Sequence, residues 1–280
     1  MSIVFGLLTA MCFAAGTLAS SRAVRQIGPL SAISGMMIVG FVIVAPMVFV
    51  GGIPEKLDAT NATWLIVGGL GNLCGLLLAY AAFRIGKVGV VAPILCTEGA
   101  IAATISGLAG ESIAPMVIFL LLVIVGGVVL AAIAPDPVPV ENEQPLKAAL
   151  IATTGAIIFG IGLFATGNIS GELPVEWILL PARIVTLICI AIPLLLLRKF
   201  RMTRRATLPV AIAGLAEIFG YAAYTTGAAQ SVAITAVLAS LFAPIAAVAA
   251  YLLFRERLGR QQVVAVVVIV TGVVTLTLVS

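Results

Sequence analysis

Three ionisable side chains lie deep inside apolar stretches of this 280-residue chain: Glu98, Arg183 and Glu217. Each glutamate falls about halfway along its apolar run (88–109 and 207–228), and Arg183 lies about a third of the way along 176–197. A charge at the centre of a bilayer costs about 2.5–3.5 kcal/mol on insertion scales, so such residues are read first as functional. Glu98 and Glu217 are candidate proton carriers and, with Arg183, candidate contacts for a charged solute. Structural readings stand beside these. Each glutamate could serve as a protonated hydrogen-bonding group, and the long stem of Arg183 could carry its guanidinium to the outer surface.

Glu217 is followed at i+4 and i+7 by Tyr221 and Tyr224, which places the three on one helical face. A second stripe, Asn72 and Tyr80, stands 145 residues earlier, Asn72 at the position equivalent to Glu217. The seven residues Asn72, Tyr80, Glu98, Arg183, Glu217, Tyr221 and Tyr224 form the candidate substrate cavity. Acids and aromatic faces there suit an ammonium. For the tyrosines, helix packing or a place in an interfacial belt is the alternative. Candidate lining residues are Phe13 and Thr17 in the first apolar run and Phe159, Thr166 and Asn168 in the sixth.

The elements that must position these groups are membrane spans. The chain is 62% hydrophobic and 9% charged, with no histidine, too few polar groups to cover a soluble globule. Ten apolar runs can be counted, at roughly 3–20, 30–50, 63–83, 88–109, 114–134, 147–168, 176–197, 207–228, 231–254 and 261–279. Pro93 and the proline at 244 should bend the fourth and ninth runs or free carbonyls there. Small-residue stripes, Gly99, Ala103 and Gly107 and then 239, 243 and 247, offer close packing faces.

The chain is also a duplication. Residues 268–274 repeat 123–129 with one substitution at an offset of 145, and the same offset pairs Gly69 with Gly214 and Gly75 with Gly220. Residues 1–134 and 147–280 are therefore two five-helix repeats, joined by a proline-rich linker at 135–146. An odd number of spans per repeat makes the second copy enter the membrane from the opposite side. The expected fold is all-α and integral to the membrane, ten transmembrane helices as two inverted five-helix repeats. Thirteen Lys and Arg residues fall in loops on one side against Lys56 alone on the other, which predicts both termini outside. The N-terminal run lacks a basic leader and supplies the first helix of its repeat, so it is expected to be retained.

Other chemistries find little material. Without histidine there is no His-Glu-x-x-His metal site and no Ser-His pair, and neither aspartate, Asp58 or Asp136, falls inside an apolar run. Cys12, Cys74, Cys96 and Cys189 show no metal-ligand spacing. No phosphate-binding loop appears. The chain is expected to be no enzyme and to use no cofactor, metal or ATP. The net charge of +4 comes from arginines in loops, which indicates membrane topology and no nucleic acid.

The tail of each repeat reaches a family pattern. Ala243-Pro244, Leu253 through Leu258 with Glu256, Gln261-Gln262 and Thr271 through Val274 resemble the EamA domain of the drug/metabolite transporter superfamily. The first copy keeps Gly110-Glu111-Ser112 and Gly126-Gly127, with Glu98-Gly99 where a proline region is usual. The resemblance implies a ten-helix transporter of small organic solutes, similar to bacterial exporters of amino acids and related metabolites in the inner membrane. Four-helix multidrug relatives use a glutamate in their first helix. Neither the first nor the sixth run here carries an acid, so that mechanism does not transfer. The favoured expectation is export of small zwitterionic or weakly cationic solutes, amino acids foremost, by alternating access. Uptake or exchange of another metabolite class, such as phosphorylated or nucleotide sugars, is the nearer rival, and a non-transporting receptor or assembly subunit the rival of another class.

Overall fold

In a computed structural model, the residues described are 2–108, 144–229 and 259–279, with isolated positions between 116 and 130 and between 235 and 249. The helices are α1 (Ser2–Ile27), α2 (Pro29–Gly51), α3 (Ala59–Ile85), α4 (Val88–Leu95), α5 (Glu98–Leu108), α6 (Pro145–Ile169), α7 (Val175–Thr186), α8 (Ile192–Leu196), α9 (Arg204–Ala228) and α10 (Arg260–Val279). A π-helical turn, Leu187–Ala191, joins α7 to α8. Helices are what an apolar chain must form in lipid, where every backbone N–H and C=O needs a partner within its own segment. Among the described residues six helices are long and apolar enough to cross a membrane. The expected runs at 114–134 and 231–254, the linker, Glu111 and Glu256 lie wholly or largely outside the described residues.

The duplication is visible in three dimensions. Asp58 caps α3 by accepting from the Asn61 N–H at 2.7 Å, and Thr203, 145 residues later, caps α9 by accepting from the Ala206 N–H at 3.2 Å. Gly69 of α3 lies against Pro181 of α7, and Gly214 of α9 lies against Met36 of α2, each with room for no Cβ (2.8 and 2.9 Å). Both partners of the second contact stand 145 residues from those of the first. Each repeat thus packs its third helix on the second helix of the other. Small residues allow this approach, the usual basis of helix association in lipid.

The third helices also cross the first helices of the opposite repeat, α3 on α6 and α9 on α1. The ends that meet fix the direction of the chain. The Gln144 N–H donates to the Ile85 carbonyl at 2.9 Å, and Arg25 Nη2 donates to the Gly86 carbonyl at 3.2 Å. The end of α1, the end of α3 and the start of α6 therefore share one face of the bundle, so α6 runs opposite to α1. At the other face Asn61 Nδ2 donates to Glu172 Oε2 at 3.1 Å and Trp177 Nε1 donates to the Gly52 carbonyl at 2.9 Å. Beneath these contacts lies an apolar cluster of Val44, Leu65, Ile169, Leu173, Ile178, Leu179 and Ile218.

Two expected continuous helices are interrupted. The run at 88–109 ends at Leu95 and restarts at Glu98. Pro93 has no N–H for the turn before it, and the Cys96 thiol and Thr97 hydroxyl donate to the Pro93 and Ile94 carbonyls at 2.9 and 2.8 Å. Side chains that bond back to the main chain in this way compete with the helix ladder. In the run at 176–197, the π turn immediately precedes Pro193, which likewise leaves a carbonyl without its usual donor. That run closes with Arg198 at φ 52, the left-handed position where glycine is preferred.

Candidate functional site

The two crossing pairs enclose a central cavity with about 90 Å³ of space open to the centre of a water molecule. Its wall draws on both repeats: Phe13, Thr17 and Ser20 from α1, Met36 from α2, Asn72, Tyr80 and Phe83 from α3, Phe159 from α6, and Glu217 and Tyr221 from α9. Glu98 closes one side from the first turn of α5. Its carboxylate is therefore carried by the restarted helix, and the interruption at Cys96 and Thr97 sets its direction.

Glycine notches hold the aromatic walls. A Cβ on Gly75 would meet the Phe159 ring at 2.6 Å, and one on Gly220 would meet the Phe13 ring at 2.5 Å. Gly75 and Gly220 are equivalent by repeat, so each third helix seats a phenylalanine from the first helix of the opposite half. Phe13 in turn packs against Tyr221 at 5.5 Å and edge-on to Phe242 at 6.2 Å between ring centroids. Tyr80 donates its hydroxyl to Met36 Sδ at 2.9 Å.

The electrostatics rest on three groups. Arg183, 1% exposed, donates from Nη2 to Glu217 Oε2 in a buried ion pair and from Nη1 to the Leu179 carbonyl. It does not reach the outer surface. Gly40 of α2 makes room for it, since a Cβ there would stand 2.8 Å from Arg183 Nε. Asn72 stands within hydrogen-bonding reach of both Glu217 and Tyr221, and all three residues line the cavity. Glu98 has no cationic partner among the described residues. The pair is neutral, so among the described residues an ionised Glu98 leaves the site with one net negative charge inside a largely apolar wall.

Not every residue singled out from the sequence reaches the cavity. Arg183 stands behind Glu217 and touches the site only through it. Tyr224 is fully buried, packs on Tyr221 at 6.4 Å and is not in the wall. Thr166 and Asn168 are not among the residues that line this cavity. Thr166 is buried against Gly68, and Asn168 is exposed near the end of α6, its amide donating to the Phe164 carbonyl at 2.9 Å. Met36, Phe83 and Phe242 line the cavity without having been singled out. An apolar side chain in an apolar chain carries no signal of its own. Ser20 did carry one, since it continues the face of Phe13 and Thr17.

The comparisons with known proteins agree with this architecture. No curated protein sequence matches the chain. A solved crystal structure covers 99% of this chain and 96% of its own length with a TM-score of 0.67 at 16% identity, a likeness of fold alone. The profile of the EamA-like transporter family matches residues 1–133 and again residues 146–278. The chain is a multi-pass membrane protein of the EamA-like transporter family, within the drug/metabolite transporter superfamily.

Proposed function

We propose that this transporter carries small zwitterionic or weakly cationic metabolites, with amino acids the favoured class, by alternating access around the central cavity. One observation carries the reading: a carboxyl group with no cationic partner among the described residues, Glu98, faces a small, mostly apolar cavity in which Glu217 is already paired with Arg183. An ammonium supplies the missing charge at Glu98 and gains from the aromatic faces of Tyr221 and Tyr80. The side-chain oxygens of Asn72 and Glu217 in the cavity wall can accept from its remaining N–H donors. Phosphorylated and nucleotide sugars need several cations, and among the described residues the one arginine near the cavity, Arg183, is committed to Glu217. Walls taken from both repeats suit a site that opens alternately to either side as the repeats rock. Outward export across the inner membrane, with both termini outside, belongs to the same proposal, and Glu98 or Glu217 is the proton carrier if transport is proton-coupled. Exchange in liposomes tests the substrate class. Vesicles preloaded with unlabelled amino acids should accumulate a labelled one and ignore a labelled sugar phosphate; the opposite pattern overturns the proposal.

A further inference from the structure

The central cavity is not symmetric between the repeats, although the helices around it pair by repeat. Asn72, Leu76 and Ala79 of α3 stand 145 residues before Glu217, Tyr221 and Tyr224 of α9. Tyr224 fills its end of the bundle, fully buried and outside the wall, whereas Ala79 lines the cavity and leaves space beside it. The cavity therefore extends along α3 past Asn72, through Leu76, Ala79 and Tyr80 to Phe83. Asn72 and Phe83 stand about 16 Å apart along the helix axis at about 1.5 Å per residue.

We propose that this α3 end receives the side chain of the carried solute, that the side chain is apolar, and that Ala79 limits its length. The proposal rests on the amino-acid reading above and adds which amino acids are carried. Polar groups gather at the other end, where Asn72, Glu217 and Tyr221 meet and Glu98 follows three residues after Leu95. From there to Phe83 the described wall is carried by Leu76, Ala79 and Leu95 and by the rings of Tyr80, Phe83 and Phe159. Three elements converge on this end. Phe159 of α6 sits in the Gly75 notch of α3, and Leu95 of α4 meets α6 at Gly155, one turn before Phe159, where a Cβ would stand 3.4 Å from it. The hydroxyls nearby are engaged: Ser20 donates to the Thr17 carbonyl at 3.1 Å and Tyr80 to Met36 Sδ at 2.9 Å. A polar side chain entering here gives up water against a wall of hydrocarbon and rings, while an apolar one gains by leaving water.

The test is exchange in liposomes of the full chain, with labelled leucine, asparagine, alanine and phenylalanine compared at matched protein content. Leucine and asparagine have nearly the same shape, so their ratio reads polarity, and leucine should exceed asparagine about tenfold or more. Leucine against alanine reads length. Ala79→Leu shortens the apolar end and should lower the leucine-to-alanine ratio about tenfold. Phe83→Leu lengthens it and should raise the phenylalanine-to-leucine ratio; this variant decides the matter if thermal melts show Ala79→Leu unfolded. Equal exchange of leucine and asparagine, or ratios unchanged in the folded variants, would overturn the apolar end and leave the amino-acid reading standing. No exchange of any amino acid would overturn both.

Discussion

Arg183 and Glu217 hold each other inside the bundle, one from α7 and the other from α9, with Gly40 of α2 leaving the space that the guanidinium occupies. Removing one member of a buried pair leaves the other uncompensated, at a cost of about 3–5 kcal/mol. Arg183→Met and Glu217→Gln should each lower the unfolding midpoint, and the double variant should recover much of the loss. Strictly additive losses in a double-mutant cycle would show that the two side chains act independently.

The glycine notches make a prediction about shape. Gly75→Ala and Gly220→Ala each push a phenylalanine into the cavity, and overpacking of this kind costs about 1–3 kcal/mol. Exchange should fall more than stability does, since Phe159 and Phe13 are walls of the site. Smaller replacements, Phe159→Leu in the Gly75→Ala background and Phe13→Leu in the Gly220→Ala background, should restore part of it. Failure of both rescues, measured as exchange rates at matched protein content, would remove the notches from the account.

The interruption between α4 and α5 predicts a conflict between stability and function. Pro93→Ala returns an N–H to the helix ladder and favours a continuous helix, so the midpoint should rise. A healed helix re-aims Glu98 and should slow exchange. A variant that is both more stable and fully active would mean that the break does not set the position of the carboxylate.

Some of this was legible in the residues and some was not, for physical reasons. Glu98, Glu217 and Asn72 stand out because a polar group is costly in hydrocarbon, and the cavity gathers all three. The 145-residue offset foretold pairs such as Gly69 and Gly214, because both copies must make the same close approach. Met36 and Phe242 were invisible, since nothing distinguishes an apolar wall from apolar packing. Thr166 and Asn168 stand apart from the cavity, since hydroxyl and amide groups in a helix can be satisfied locally, as Asn168 is by the Phe164 carbonyl. Pro93 announced a distortion, but its place depended on Cys96 and Thr97 bonding back to the chain.

The loop charges predict an orientation that cysteines can test. After removal of the four native thiols, a cysteine in place of Glu55 should react with an impermeant reagent added outside cells, and one in place of Arg204 should not. The reverse pattern would place the basic face outside.

The most direct test of the central claim is the exchange rate of a labelled amino acid in liposomes bearing Glu98→Gln, set against Glu55→Gln as a surface control. Loss of a charged contact to the solute should slow Glu98→Gln about tenfold or more, with folding intact by thermal melt, while Glu55→Gln keeps the full rate. Equal rates for the two variants would contradict the assignment of Glu98 to the transport site.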